Sequence, residues 1–238
     1  MKKAVIVVPT YNESENIGPL LKALLRLPQK PHVLVVDDLS PDGTGDLAQT
    51  FARKNRRVRV LHRKGPRGRG WAGIAGFKAA LAQGADYVLE MDADFSHDPR
   101  YIPDLLDGIQ NADVVLGSRF VAGGRDGRPG RIRRLITLLA GNLERLVLGV
   151  GVRDPTSGYR CFRREVLESI GLDRLDCGGP SIVVEVLYRA HVRGFRIKEV
   201  PVVFEDRTRG VTKLNIPILL KTFFSVFSLR KKALFGQL

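Results

Sequence analysis

Short apolar segments alternate with longer amphipathic ones through the first half of the chain. The short segments are rich in β-branched residues and have the composition of strands buried on both faces of a sheet. They lie at residues 4–8, 32–36, 58–61, 87–91 and 114–117. Between them, apolar positions recur with helical spacing, as at Ile17, Leu20 and Leu24. This alternation predicts an α/β fold with a mainly parallel sheet, flanked by helices and joined by right-handed crossovers.

Capping residues set the expected starts of two of these helices. Asn12 and Glu15 have the spacing of a capping box, and Pro28 stops the helix that follows. Thr44 is placed to cap a helix that runs to about Lys54. Each start lies in the connection that follows an expected strand, and ligands bind beyond the carboxyl ends of strands in sheets of this kind.

The second half of the chain is less regular. Its expected elements are a glycine- and arginine-rich stretch at 119–134, an apolar helix at about 135–148, a loop at 154–158, a helix at 181–192, extended structure at 195–204 and a C-terminal apolar helix. We expect one main domain at residues 1–213 and a C-terminal amphipathic helix within 214–238.

The C-terminal helix combines aromatic and basic residues. Phe223, Phe224 and Phe227 lie near Lys221 and the basic run 230–232. About sixteen helical residues span roughly 24 Å, short of the about 30 Å hydrocarbon core of a bilayer. The helix therefore suits a position in the membrane interface rather than across it. Packing on its own domain or on an oligomer partner is the alternative.

The chain is strongly basic. Lys and Arg number 39 against 25 Asp and Glu, a net charge of +14. This excess indicates an anionic partner, either nucleic acid, a lipid surface or a phosphorylated small molecule. Nucleic-acid sites interleave aromatic with basic residues, and only Phe120 accompanies the arginine-rich stretch. Cys161 and Cys177 make no disulfide framework, which suits a reducing, cytoplasmic compartment.

Acidic residues gather where the expected strands end. Asp92 and Asp94 follow the fourth strand, and residues two apart on an extended segment point to the same side. Two such carboxylates suit a hard divalent cation that shares its ligands with phosphate; a solvated acidic turn is the alternative. Asp37 and Asp38 close the second strand, where acids bind a nucleoside base or ribose. Turn formation is the alternative there.

A glycine-rich segment follows the third strand. Gly68, Gly70 and Gly73 match the dinucleotide-binding spacing, but six residues separate them from the strand, so a loop over the site is the better interpretation. Its basic residues would lie near anionic groups or form a solvated face. They are Arg63, Lys64, Arg67 and Arg69.

Five motifs in this order resemble those of the dolichol- or polyprenol-phosphate mannosyltransferases. The motifs are PTYNE at 9–13, VDDLSPDGT at 36–44, MDADFSHDP at 91–99, GSR at 117–119 and DPTSGYR at 154–160. The resemblance covers residues 9 to about 213. It implies an inverting family 2 glycosyltransferase with a GT-A, Rossmann-like fold.

The resemblance assigns the donor side of a site. The residues implied for the nucleotide of GDP-mannose are Pro9, Tyr11, Glu13, Val36 and Asp38, with Asp92 and Ala93 beside the diphosphate. The residues implied for a divalent metal, Mg²⁺ or Mn²⁺, are Asp92, Asp94 and Ser96.

The resemblance also assigns an acceptor side. The phosphate of a dolichyl or polyprenyl monophosphate would be held by Arg119, Arg133, Arg207 and Lys213, with Arg131 and Arg134 competing for the place of Arg133. These basic residues and Asp94 would carry the chemistry. The acceptor is already an anionic nucleophile, so no general base is required. The implied location is the cytoplasmic face of a membrane, and an anchoring membrane subunit is left open.

Three other functions remain open from the sequence. A UDP-sugar, such as UDP-glucose, could replace GDP-mannose on the same fold. A basic nucleic-acid-binding protein would explain the charge but leaves the strand-end acids unexplained, and we expect no nucleic-acid partner. A nucleotide-sugar sensor would bind the donor and give no lipid product.

Overall fold

The computed structural model describes residues 2–175, 181–206 and 216–238, and the side chains of 131–133 and 216–223 lie outside this description. The strands are β1 (Ala4–Thr10), β2 (His32–Asp37), β3 (Val58–His62), β4 (Tyr87–Glu90), β5 (Val114–Ser118), β6 (Arg125–Asp126), β7 (Arg160–Arg163), β8 (Ile197–Pro201) and β9 (Val203–Phe204). The helices are α1 (Ser14–Arg26), α2 (Thr44–Lys54), α3 (Arg69–Ala82), α4 (Ile102–Gly108), α5 (Arg131–Leu148), α6 (Arg164–Ser169), α7 (Ile182–Val192) and α8 (Ile216–Leu234).

A seven-stranded sheet forms the centre, in the order β3-β2-β1-β4-β7-β5-β8. Strand β7 is antiparallel to β4 and β5, and the other paired neighbours are parallel. The carboxyl ends of β1, β2 and β4 therefore share one edge, where Thr10 pairs with Asp37. Strands β6 and β9 form a separate parallel pair. The predicted mainly parallel sheet with flanking helices is confirmed.

The sheet is buried on both faces, because side chains alternate along each strand. Val5 and Val7 pack into the core under α3, α6, α7 and part of α8. Ile6 and Val8 pack into the opposite core, under α1, α2 and α4. Helix α3 approaches β1 closely at Gly76, where a Cβ would lie 2.3 Å from a methyl carbon of Val7. Because Gly76 has no side chain, α3 can pack this closely against β1.

Strand β7 was missed by the sequence analysis, which ended its loop at residue 158. Its sequence Arg-Cys-Phe-Arg lacks an apolar run. Cys161 nevertheless packs into one core and Phe162 into the other. The Arg160 side chain is fully buried and donates to the backbone carbonyls of Ser157, Val183 and Pro155. These tertiary contacts stabilise a buried arginine in a central strand. A local sequence pattern does not contain them.

The predicted capping role of Asn12 is wrong. Glu13 is the N-cap of α1, and the side chain of Glu13 makes no capping hydrogen bond. Asn12 instead adopts a φ of 60°, and its backbone N–H donates to the Ser40 hydroxyl at 3.1 Å. It is used to turn the chain after β1 rather than to cap the helix.

Helix α8 has one buried and one exposed face. Val226 and Leu229 are buried in the core that also contains α7 residues, while Phe224 and Leu234 are exposed. Arg230 donates to the Tyr188 hydroxyl at 3.3 Å. The interpretation that this helix packs on its own domain is confirmed for the buried face. The expected position in the membrane interface stays a prediction for the exposed face. The expected boundary between 213 and 214 lies outside the described residues, and that division stays a prediction.

Candidate active site

The turns after β1, β2 and β4 share an unusual backbone feature. Each contains one non-glycine residue with a left-handed φ, namely Asn12 (60°), Leu39 (53°) and Phe95 (63°). Such conformations cost about 1–3 kcal/mol and concentrate at functional sites. Here they reverse the chain at the edge of the sheet where the predicted donor residues lie.

The acidic segment after β4 contains a buried carboxylate. Asp94 is 4% exposed, and its Oδ1 accepts the Ser96 N–H at 3.1 Å and the Ser96 hydroxyl at 2.6 Å. Asp92 is more exposed, at 34% of its side chain. Carboxylate and hydroxyl oxygens fit a hard cation. Within the described residues no three Asp, Glu, His or Cys side chains converge on a metal position, so a bound cation would need further oxygen ligands from the donor diphosphate.

His97 orients this acidic segment and was not among the predicted site residues. Its Nδ1 accepts the Asp92 backbone N–H at 2.9 Å, and its ring stacks on Tyr159 with centroids 4.9 Å apart. Burial lowers the pKa of His97, against the opposing effect of Asp92 and Asp94. The imidazole is therefore neutral near pH 7, with its proton on Nε2. The position of His97 inside the motif at 91–99 was the available signal.

The loop of residues 63–69, here called the basic loop, covers the predicted nucleotide residues. Arg63 Nε donates to Asp38 Oδ1 at 2.5 Å, and the Gly68 N–H donates to Asp38 Oδ2 at 2.9 Å. Arg67 Nη1 donates to the Tyr11 hydroxyl at 3.1 Å, and its guanidinium lies 4.9 Å from the Tyr11 ring centre. The basic loop lies over the predicted nucleotide residues as expected, with Arg63 on a carboxylate and Arg67 on an aromatic ring. That these residues form an active site stays a prediction.

Arg69 extends the same contacts to the acidic segment. Its Nε and Nη2 donate to Asp92 Oδ1 at 3.2 and 3.0 Å, and its Nη1 lies 3.5 Å from Glu90 Oε1. Burial acts to lower the pKa of Arg69, but Asp92 and Glu90 outweigh it and raise the pKa, so the guanidinium stays charged. Asp38 and Asp92 are thus held by two adjacent residues, Gly68 and Arg69, and belong to one site.

Asp37 and Asp38 have different roles. Asp37 is 2% exposed, and its Oδ1 accepts the Ser40 hydroxyl at 2.5 Å while its Oδ2 accepts the Ser40 N–H at 3.2 Å. For Asp37 the turn-forming interpretation is therefore the right one. Asp38 faces the basic loop, so the predicted nucleotide role remains with Asp38 alone.

Asp42 and Thr44 join the first two turns. Asp42 accepts hydrogen bonds from the N–H groups of Ser14 and Thr44 at 3.0 Å each. Partial burial acts to raise the pKa of Asp42, but the hydrogen bond from the Thr44 hydroxyl at 2.6 Å, together with the two N–H bonds, outweighs it and lowers the pKa to about 2. The Thr44 hydroxyl accepts the Glu13 N–H at 2.8 Å rather than capping α2, whose N-cap is Gly43. The predicted cap is therefore corrected to a link between turns.

The remaining predicted donor residues lie at the same edge. Pro9 pairs with Val36 in the β1–β2 register. Val36 is fully buried beneath α3, and Ala93 is buried in the opposite core, so only their backbones can meet a nucleotide. Glu13 Oε2 accepts the Asn16 amide at 2.8 Å. These assignments stay predictions.

Two aromatic rings, those of Phe204 and His97, connect Arg119 to the acidic segment after β4. The Arg119 guanidinium is 5.3 Å from the Phe204 ring centre, and Phe204 lies 5.4 Å from the His97 ring. Its Nε and Nη2 donate to Asp154 at 2.7 and 2.6 Å, and Nη2 also donates to the Thr156 hydroxyl. Of the predicted acceptor residues, the structure therefore places Arg119 near the predicted donor side. The role of Arg119 at an acceptor phosphate stays a prediction.

Other arginines of the 119–134 stretch are paired within the protein. Arg125 lies 3.6 Å from Glu205, and Arg128 binds Asp126 through Nε at 2.8 Å and Nη2 at 2.5 Å. The side chain of Arg133 and all of Arg207 and Lys213 lie outside the described residues. Their predicted contacts with an acceptor stay predictions.

Glu144 of α5 is buried near Arg119, Asp154 and Arg160. Among the described residues its Oε2 has no hydrogen-bond partner. Burial raises the pKa of Glu144 from 4.5 to about 7, and the positive charges of Arg160 and Arg119 offset this only in part. A folded-state pKa above the unfolded value means that the native protein binds the extra proton. Stability from this group is therefore complete below pH 4.5 and is lost as the pH rises through about 7.

Replacing Glu144 with Gln is expected to remove this loss. Between pH 5 and pH 8 the free energy of unfolding of Glu144→Gln should rise relative to that of the wild type by up to about 3 kcal/mol. Urea unfolding at both pH values measures it, with the exposed Glu165→Gln as the control. Parallel pH profiles for Glu144→Gln and the wild type would contradict the assignment.

Comparison with known proteins identifies the class. The sequence matches the family described as glycosyl transferase family 2 over residues 5–171, and the chain belongs to that family. Its solved structural relatives include glucosyl-3-phosphoglycerate synthase from Mycobacterium tuberculosis with Mn²⁺ and UDP-glucose, at a TM-score of 0.71 and 19% identity over 98% of this chain and 79% of that one. This likeness confirms the predicted GT-A fold.

Sequence relatives confirm the resemblance to the dolichol- or polyprenol-phosphate mannosyltransferases. The chain is 40% identical to polyprenol monophosphomannose synthase of Mycolicibacterium smegmatis, over 94% of this chain and 86% of that protein. It is 41% identical to undecaprenyl-phosphate mannosyltransferase of Micrococcus luteus, over 90% and 88%. Dolichol-phosphate mannosyltransferase of Pyrococcus furiosus is 34% identical, over 96% of this chain and 64% of that protein.

Proposed function

We propose that the protein transfers mannose from GDP-mannose to a polyprenyl or dolichyl monophosphate, with inversion, to give a lipid-linked β-mannosyl phosphate. The three sequence relatives, all mannosyltransferases or mannose synthases of a polyprenyl or dolichyl phosphate by name, support a lipid-phosphate acceptor and mannose. The observation that carries the proposal is the arrangement around His97. The carboxylates of Asp92 and Asp94 lie near this ring, and Arg119 approaches it through Phe204. This arrangement offers separate places for two anionic substrates.

The donor would lie between the carboxyl edge of the sheet and the basic loop. Asp38 and Tyr11 are the candidates for the nucleoside, and they are bound by Arg63 and Arg67 in the structure. Asp92, Asp94 and Ser96 would supply oxygen ligands for a divalent cation, Mg²⁺ or Mn²⁺. Bound there, the cation would stabilise the negative charge that develops on departing GDP.

The acceptor phosphate is the nucleophile. One of its oxygens forms a bond to the anomeric carbon as the bond from that carbon to the GDP oxygen breaks, so the electron pair leaves with GDP and no proton is transferred. The main electrostatic difficulty is bringing a phosphate close to a diphosphate. We propose Arg133, Arg207 and Lys213 for offsetting this repulsion, together with Arg119, whose guanidinium is paired with Asp154 in the structure.

The nucleotide test separates GDP-mannose from a UDP-sugar donor. A solved structural relative has UDP-glucose bound, but at 19% identity it supports the fold alone. Thermal shift with GDP and UDP, each with and without Mn²⁺, is expected to give the larger stabilisation with GDP and metal. A larger shift with UDP would overturn the proposed donor.

The nucleic-acid alternative receives little support from the site. Arg119 and Arg128 are bound to Asp154 and Asp126 and are not arranged as a basic surface. Steeply salt-dependent binding of DNA or RNA would favour this alternative. We expect none at physiological salt.

A membrane surface is the proposed site of action, at the cytoplasmic face. Helices α5 and α8 contact each other and expose large apolar side chains, here called the apolar helix surface. Its members are Leu135, Ile136, Leu138, Leu139, Leu146, Phe224, Phe227 and Leu234, with Phe235 directly after α8. Exposed Arg230 and Lys231 lie beside it. In the parts of the chain that the structure describes, no helix has the length and apolarity of a membrane span, so interfacial contact is the proposed mode.

Leu139→Glu is expected to weaken vesicle binding about tenfold, because a charge replaces an apolar contact in the interface. Co-sedimentation with vesicles of phosphatidylcholine and phosphatidylglycerol measures it. Leu47→Glu is the matched control, since Leu47 is a partly exposed leucine on α2, across the sheet from α8. Equal binding by both variants would contradict the proposed surface.

A further inference from the structure

We propose that Arg69 is a positioning residue that holds the Asp92 carboxylate while the donor is absent, and that it thereby couples cation binding to nucleotide binding. The inference rests on the proposed metal-assisted use of the donor site. It concerns one arginine of the basic loop, which the motif resemblance did not assign.

The contacts of Arg69 place a positive charge where a cation would approach. Two of its nitrogens bind the same oxygen, Asp92 Oδ1, at 3.2 and 3.0 Å. This guanidinium charge would repel a divalent cation that approaches Asp92 without nucleotide. The repulsion lowers the affinity of the site for the free cation. The buried Glu90, 3.5 Å from Nη1, keeps the arginine in place from the other side.

Arg69 Nη1 is buried and ion-paired with Glu90 at 3.5 Å but donates no hydrogen bond within the described residues. An unsatisfied buried donor is costly, and a guanidinium fork matches phosphate oxygens. A nucleoside diphosphate at this site would provide those oxygens. Arg69 can then exchange Asp92 for phosphate, which leaves the Asp92 carboxylate to the incoming cation.

The neighbouring backbone is shaped around this guanidinium. A Cβ on Gly158 would lie 2.5 Å from Arg69 Nη2 and 3.6 Å from His97 Cε1. Glycine therefore allows Arg69 to lie against the loop after Asp154. On the other side, His97 fixes the Asp92 backbone. The carboxylate and the arginine are both held, so their contact is specific.

Mn²⁺ binding in the absence of sugar transfer tests this role. The free-ion signal in electron paramagnetic resonance gives the Mn²⁺ affinity with no nucleotide, with GDP and with UDP. Arg69→Met is expected to bind Mn²⁺ alone about tenfold more tightly than the wild type. The gain in Mn²⁺ affinity on adding the nucleotide should shrink by a similar factor.

Three further variants separate charge from packing. Arg69→Lys keeps the charge and should bind Mn²⁺ within about threefold of the wild type. Arg59→Met, on the exposed face of β3, removes one positive charge elsewhere and should leave the affinity unchanged. In an Asp92→Asn background, Arg69→Met should give no tightening.

The outcomes distinguish this inference from the proposed function. Unchanged or weaker Mn²⁺ binding by Arg69→Met, or tightening that persists with Asp92→Asn, would overturn the role of Arg69 alone. A wild-type protein that binds no Mn²⁺ with either GDP or UDP would overturn both proposals.

Discussion

Asp94→Asn is expected to lower the rate of mannosyl transfer by about 10³-fold, with a small effect on folding. The amide keeps the size of the side chain and can still accept from Ser96, whose N–H and hydroxyl bind Oδ1 in the wild type. It removes the negative charge that the proposed cation needs. Initial rates at saturating donor, with Mg²⁺ or Mn²⁺ added in excess, measure the loss.

The matched control for this variant is Asp107→Asn. Asp107 is an exposed acid on α4, so the same chemical change there should leave the rate within about twofold of the wild type. Near-normal turnover of Asp94→Asn at high metal would contradict the role given to Asp94. A loss of equal size in the control would show that the change acts through net charge instead.

Asp154→Asn is expected to destabilise the protein by about 3–5 kcal/mol, because it breaks a buried ion pair and leaves the arginine charge uncompensated. Asp154 is fully buried and binds the Arg119 backbone N–H, Nε and Nη2. Arg119 itself is 7% exposed. This loss is a large part of the 5–15 kcal/mol that holds a typical domain together.

Urea unfolding of Asp154→Asn measures this cost, with Asp173→Asn as the exposed control. The double variant Arg119→Met with Asp154→Asn should recover part of the stability, since it removes the unpaired charge as well. A loss below about 1 kcal/mol for Asp154→Asn would mean that solvent reaches the pair.

The sheet was predictable from the sequence because its parallel strands carry their signal locally. The run of valine and isoleucine in β1 is buried on both sides, and the helical spacing in α1 follows directly. β7 was not predictable in this way. Its Arg160 donates hydrogen bonds to the backbone carbonyls of residues 155, 157 and 183. These bonds form only in the folded chain.

The site was partly predictable for a related reason. Asp92 and Asp94 stood out because they follow a strand, and sheet topology brings strand ends together. The difference between Asp37 and Asp38 was not visible, since it depends on which carboxylate turns towards Ser40 and which towards Arg63. The same holds for Arg69, whose partners lie more than twenty residues away along the chain.

The measurement that tests the account most directly is transfer of radiolabel from GDP-[¹⁴C]mannose to a polyprenyl phosphate. The purified protein, a divalent metal and the lipid are incubated, and the organic extract is counted, with UDP-[¹⁴C]glucose in a parallel reaction. We expect label in the organic phase from GDP-mannose only, abolished by a chelator and by Asp94→Asn. Label from UDP-glucose alone, or none from either donor although the nucleotides bind, would contradict mannosyl transfer to a lipid phosphate.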